Sequence, residues 1–160
     1  MQQRIGIGYD LHRTAVGRPL KLGGIEIPHE RGLLGHSDAD VVLHAICDAL
    51  LGAAGLGDIG ELFPDTDPAY KDADSRELLR NVVTRIRDAG LGINNVDIIV
   101  HAERPKLGPH KARIRSSVAE LLSLPESSVG IKATTNEGLG EIGRGEAMAC
   151  WAAVLLHSVE

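Results

Sequence analysis

Ala147-Met-Ala-Cys-Trp-Ala-Ala-Val-Leu-Leu156 is apolar on both of the faces that a strand presents. Side chains alternate along a strand, so Ala149, Trp151, Ala153 and Leu155 share one face and Met148, Cys150, Val154 and Leu156 the other. A strand apolar on both sides is covered on both sides. Helices are expected over one face and another subunit over the other.

Working outward, Arg4 to His12, Val96 to His101 and Val129 to Ala133 read as further strands. Pro19 to Pro28 reads as a hairpin, with Gly23-Gly24 turning between Leu20-Lys-Leu22 and Ile25-Glu-Ile27. A helix is predicted from Asp38 to Ala54, with Ser37 as its N-cap, Asp40 at the third helical position, and Gly52 and Gly55 at its far end. Asp74, with Glu77 three residues on, opens a second helix over Ser75 to Ala89 whose apolar stripe is Leu78, Val82 and Ile86. A third runs from Pro109 to Ser123 with Ile114, Val118, Leu121 and Leu122 on one face. Gly57 to Asp74, with Pro64, Pro68 and six carboxylates, reads as a mobile or substrate-facing loop. The order predicts one α+β domain over residues 1–160, a mixed β-sheet with its helices packed on one face.

Aromatic residues are 2% of the chain against 43% hydrophobic residues overall, so the core is aliphatic and subunit association would help it. A net charge of -5 with dispersed Lys and Arg argues against nucleic acid as a partner. No run is long enough to span a bilayer and the first residues lack a signal-peptide pattern, so a soluble cytoplasmic protein with no membrane partner is expected. Cys47 and Cys150 read as buried small hydrophobes, with a metal or redox role as the alternative.

Asp10 and His12 stand at i and i+2, on one face of a strand, and His44 follows on the first helix. Two imidazoles and a carboxylate suit Zn²⁺ or another divalent transition metal, with a coordination position left open. A polar strand end also fits Asp10 and His12 alone. Asp40, His44 and Asp48 form a polar line at i, i+4, i+8, which also fits a solvated helix face. His36 and Ser37 precede that helix, where an anion is favoured, although Ser37 is equally explained as a cap. The carboxylates from Asp58 to Asp67 suit a polyol better than a phosphate, with turn chemistry as the alternative for Asp65 and Asp67. Lys132 to Glu146 supplies hydroxyls, glycine-rich backbone and Arg144 for phosphate oxygens, and Glu137 for a hard cation, without the spacing of a P-loop.

Together the strings Gly8-Tyr-Asp10-Leu11-His12, Gly35-His36-Ser37-Asp-Ala-Asp40, Leu43-His44-Ala, Leu56-Gly-Asp58-Ile59-Gly60, Leu62-Phe63-Pro64-Asp65-Thr66-Asp67, Arg104-Pro105-Lys106-Leu107-Gly108-Pro-His110, Lys132-Ala-Thr134-Thr135 and Gly143-Arg144-Gly-Glu146 resemble the 2-C-methyl-D-erythritol 2,4-cyclodiphosphate synthase family from Arg4 to Leu156. The resemblance implies a homotrimer with active sites between subunits. It implies attack by the 2-phosphate oxygen of 4-diphosphocytidyl-2-C-methyl-D-erythritol 2-phosphate on its own β-phosphorus, with loss of CMP. By resemblance Asp10, His12 and His44 hold Zn²⁺, Glu137 helps hold Mg²⁺ or Mn²⁺ on the diphosphate, and His36 and Thr135 stabilise charge at phosphorus. Leu11 and Ser37 flank those groups, while Asp58, Ile59, Gly60, Phe63, Pro64, Asp65, Thr66 and Asp67 receive the methylerythritol. Ala102, Glu103, Arg104, Pro105, Lys106, Leu107 and Gly108 surround the cytosine, and Thr134, Asn136, Glu141 and Arg144 complete the contacts. Glu141 and Trp151 depart from the family pattern, which has an aromatic residue at the first position and a smaller or polar one at the second. The rival readings are a noncatalytic trimeric metal and nucleotide binding module, and a metal-dependent phosphohydrolase that uses water as nucleophile.

Overall fold

The computed structural model describes residues 2–159, so both ends of the expected domain, residues 1 and 160, lie outside the described residues. The decisive strand, β7 (Ala147–Ser158), is the middle strand of a five-stranded sheet. It pairs antiparallel with β1 (Gln3–Val16) on one side and β5 (Leu91–His101) on the other. β4 (Arg31–Leu34) lies outside β1, and β6 (Val129–Thr134) lies outside β5 as the parallel member that makes the sheet mixed. A parallel pair needs a crossover, and α4 (Lys111–Leu122) provides it. β2 (Leu20–Leu22) and β3 (Ile25–Ile27) form the separate hairpin, turned through positive φ at both Gly23 and Gly24.

α1 (Val41–Ala54) packs on β1 and β7, and α3 (Ser75–Asp88) and α4 continue the layer over β5 and β6. Of the expected stripes, Leu78, Val82, Ile86, Ile114, Val118 and Leu122 are buried and Leu121 is half-buried, while Cys47 and Cys150 are buried as expected. The opposite face of the sheet is open: Ile5 is 74% exposed and Ile7 65%, beside Tyr9, Leu11 and Trp151. Among the described residues no helix is long and apolar enough to cross a membrane.

Several boundaries differ from expectation for local reasons. β5 begins at Leu91 rather than Val96, because an irregularity between Ile93 and Asn95 interrupts its alternation. The segment 57–74 holds α2 (Ile59–Leu62) and a 3-10 turn at Pro68–Tyr70, and the glycine-rich segment holds α5 (Gly140–Gly143). α1 starts at Val41 rather than Asp38, because Ala39 takes a left-handed φ of 59° and Asp40 an extended conformation. The cap is therefore Asp40, not Ser37.

Asp40 is fully buried rather than part of a solvated stripe. Its carboxylate accepts from Val42 N and Leu43 N, both at 3.1 Å, and from the hairpin amides Gly23 N at 2.9 Å and Gly24 N at 2.7 Å. One side chain thus caps α1 and fastens the β2–β3 turn onto it. Asp40→Ala leaves those amides without acceptors in a closed site, so a loss on the order of 3 kcal/mol in unfolding free energy is expected by urea titration.

Candidate metal centre and active site

The three candidate metal ligands are placed by a seam of small residues. Gly6, Gly8, Asp10 and His12 alternate onto the face of β1 that meets α1. A methyl group on Gly8 would lie 1.9 Å from the Ala45 carbonyl oxygen, and one on Gly6 1.9 Å from that of Ala49. Only glycine permits this approach of helix to strand. Further along the same seam His44 faces Asp10 and His12.

There His12 Nε2 lies 3.0 Å and His44 Nδ1 3.1 Å from Asp10 Oδ2, and the two ring nitrogens are 3.3 Å apart. Ligands at Zn–N and Zn–O bond lengths of about 2.0–2.1 Å around a tetrahedral ion are separated by roughly 3.3 Å, so this spacing fits a divalent ion. The other ring nitrogens are engaged. His12 Nδ1 donates to the Leu34 carbonyl at 3.0 Å, and His44 Nε2 lies 2.9 Å from Ser75 Oγ and 3.2 Å from Ser37 Oγ. His12 Nε2 is therefore left with a lone pair toward the Asp10 carboxylate, which a proton or a metal ion reconciles.

Burial works to raise the Asp10 carboxyl, but the His12 and His44 imidazoles beside it outweigh that and bring its pKa down to about 2. Burial likewise opposes a charged His12, yet the Asp10 carboxylate raises its pKa above the ordinary value. Without metal, the Asp10–His12 ion pair therefore persists across the acidic range and is lost as pH rises through the raised His12 value.

The triad opens on a cleft of about 330 Å³ also lined by Gly35, His36, Ser37, Ile59, Gly60, Phe63, Asp65, Tyr70 and Leu78. His36 Nε2 donates to the Asp67 carbonyl at 3.1 Å, tying the two loops together. Asp58 caps α2 by accepting from Glu61 N, and Asp67 caps the Pro68–Tyr70 turn by accepting from Ala69 N, as turn chemistry would have them. Pro64 and Thr66 belong to the same loop, and Leu11 turns away onto the open sheet face.

The remaining expected residues lie elsewhere on the chain. Ala102, Pro105, Lys106, Leu107, Gly108, Thr134 and Thr135 line a second cleft of about 210 Å³. Glu103, Arg104 and Arg144 line a third, about 400 Å³, where Arg144 is paired with Glu146 at 3.0 Å and lies 4.0 Å from Glu141. It exceeds the metal cleft in volume, yet among the described residues the ligand group that converges is Asp10, His12 and His44, outside it. Glu103 accepts from Asn136 N at 3.2 Å, and exposed Glu137 accepts from Thr135 Oγ1 at 3.4 Å, away from the triad. Sequence reading missed Tyr70 and Leu78 in the metal cleft and Ser75 beside His44. Tyr70 had a signal, an aromatic residue in a polar loop, and it meets Phe63 edge-on at 5.2 Å between ring centroids.

Fold and triad define an α+β protein fitted for a divalent metal at a strand–helix seam. The family model described as the YgbB family matches residues 3–157, and the chain belongs to that family. It is 58% identical over 155 residues to the 2-C-methyl-D-erythritol 2,4-cyclodiphosphate synthase of Salinibacter ruber, covering 97% of this chain and 99% of that one. Among solved structures it is similar to the bifunctional IspDF of Campylobacter jejuni, with a TM-score of 0.96, 46% identity and 99% of this chain covered. The chain spans 43% of that longer protein. The CDP complex of IspF from Plasmodium falciparum superposes with a TM-score of 0.87 at 37% identity, over 99% of this chain and 97% of that one.

A divalent ion must displace the proton that His12 retains beside Asp10. Zn²⁺ binding should release about one proton per ion on the acid side of the raised His12 pKa, and affinity should fall about tenfold per pH unit there. Calorimetry in buffers of different ionisation enthalpy measures both; an affinity independent of pH across that range would show that His12 is not a ligand.

Proposed function

We propose that this chain is a phosphorus–oxygen lyase that closes 4-diphosphocytidyl-2-C-methyl-D-erythritol 2-phosphate into 2-C-methyl-D-erythritol 2,4-cyclodiphosphate and releases CMP, in non-mevalonate isoprenoid biosynthesis in the cytoplasm. The observation that carries the reading is the convergence of Asp10, His12 and His44 in a chain so similar, over nearly all its length, to a cyclodiphosphate synthase. On this reading residues 1–160 form one cyclase domain.

Asp10, His12 and His44 would hold Zn²⁺ or another divalent transition ion, and Glu137 would help hold Mg²⁺ or Mn²⁺ with the diphosphate. Such ions supply charge neutralisation at phosphate oxygens and an electrophilic anchor. Nucleophile and electrophile belong to one molecule: the bond from the 2-phosphate oxygen to the β-phosphorus forms as the bond to CMP breaks. The protein's task is therefore orientation, and no enzyme nucleophile is required. The loop Phe63, Pro64, Asp65, Thr66, Asp67, with Asp58, Ile59 and Gly60, receives the polyol. His36 and Thr135 stabilise charge developing at phosphorus. Ala102 to Gly108 surround the cytosine, and Thr134, Asn136, Glu141 and Arg144 complete the phosphate side.

A homotrimer accounts for two features at once. The open sheet face with Ile5, Ile7 and Trp151 needs a cover, and those expected site residues that line a cleft are divided among three separate clefts of one protomer. A neighbouring copy would bring the cytosine cleft of one subunit against the metal cleft of the next.

Phosphorus NMR of the purified protein with substrate and Mg²⁺, before and after chelation and Zn²⁺ return, should show CMP and the cyclic diphosphate only with metal. CMP with an acyclic product would indicate the hydrolase, and unchanged substrate the binding module. His44→Ala should lower turnover by roughly 10³-fold, the scale of the several kcal/mol a Lewis acid supplies. Light scattering should give three times the 17.0 kDa subunit mass for wild type and for that variant.

A further inference from the structure

Ser75 is fully buried at the first position of α3, yet it does not cap that helix. Asp74 does so, accepting from Arg76 N at 2.9 Å. The Ser75 hydroxyl is spent elsewhere: it donates to Asp38 Oδ1, and its oxygen lies 2.9 Å from His44 Nε2. Asp38 is itself held in place. Its Oδ2 accepts from Ser75 N at 3.2 Å and lies 3.8 Å from Lys21 Nζ, and its Oδ1 accepts from Asp40 N at 3.4 Å.

This chain of contacts has a direction. A carboxylate only accepts, so the Ser75 hydrogen points to Asp38 and the Ser75 oxygen is left with lone pairs toward His44. His44 Nε2 must then carry the ring hydrogen and donate it, which leaves Nδ1 bare and aimed at Asp10 and His12. Ser37 Oγ, 3.2 Å from the same Nε2, imposes no such direction. It accepts from Ala39 N at 3.2 Å, but its own hydrogen has no fixed acceptor and can turn either way.

We infer that Ser75, polarised by Asp38, is the positioning residue that fixes the ring orientation and tautomer of His44 for metal ligation. The inference rests on the reading of Asp10, His12 and His44 as a metal site. It also explains why the segment before α3 is zipped to the loop before α1. Asp72 N donates to the His36 carbonyl at 2.7 Å and Asp38 N to that of Ala73 at 3.1 Å, which sets Ser75 and Asp38 in register behind the imidazole.

The test is Zn²⁺ affinity of the full chain by chelator competition, with the visible spectrum of the Co²⁺ form as a report on ligand geometry. Ser75→Ala, folded by far-UV circular dichroism, should bind about ten- to a hundredfold more weakly with an altered Co²⁺ spectrum. Ser75→Thr keeps the hydroxyl and should stay within about threefold of wild type, a rescue that a packing role would not give. Should Ser75→Ala fail to fold, Asp38→Ala removes both oxygens that set the direction and should weaken binding about tenfold, and unchanged affinity there overturns the inference. Wild-type affinity in the folded Ser75→Ala variant, or equal losses in Ser75→Ala and Ser75→Thr, overturns the inference while the metal centre stands. A wild-type chain that binds neither Zn²⁺ nor Co²⁺ overturns both.

Discussion

The close contact between β1 and α1 is the constraint on which the molecule turns. Gly6 and Gly8 have no side chain because the carbonyls of Ala49 and Ala45 occupy that space. Replacing either glycine forces α1 outward, and interiors packed at crystal-like density transmit such a shift rather than absorb it. His44 rides on α1 while Asp10 and His12 ride on β1, so the width of this seam sets the separation of the ligands. Packing and chemistry are one problem here.

Around that seam the polar loops are fixed by side-chain tethers together with the partial burial of Ile59, Leu62 and Phe63 against the core. Asp40 joins the β2–β3 turn to α1, Asp48 accepts from Ile59 N at 2.8 Å to hold the start of α2, and His36 clasps the Asp67 carbonyl. Between Leu56 and Asp74 no residue is fully buried. A segment held by a few hydrogen bonds opens at a lower free energy than the sheet does, which suits a surface that admits and releases a substrate.

Much of this was legible in the sequence where the signal is local. A continuous apolar run marks β7, the i, i+2 spacing marks the Asp10–His12 pair, and the Asp74 cap with Leu78, Val82 and Ile86 marks α3. The residue types and spacing of Asp10, His12 and His44 pointed to a metal site before any family string did, and the structure brings the three together. What stayed hidden depends on partners far along the chain. Asp40 reads as a solvated helix residue until Gly23 and Gly24 are folded onto it, and Ser75 reads as an ordinary first helical residue until His44 and Asp38 arrive. β4, four residues without alternation, is defined only by its pairing with Arg13 to Val16.

The place of β7 at the centre of the sheet has a consequence for synthesis. β1 pairs with it from Gln3 opposite His157 to Arg13 opposite Ala147, and β5 is held on its other edge. Until β7 leaves the ribosome, the stretch of β1 that carries Asp10 and His12 has no neighbouring strand and the two halves of the sheet are not joined. Such long-range pairing is slow and comes after local helices have formed. A nascent chain therefore carries Asp10 and His12 on a strand without its long partner until β7 emerges and closes the sheet.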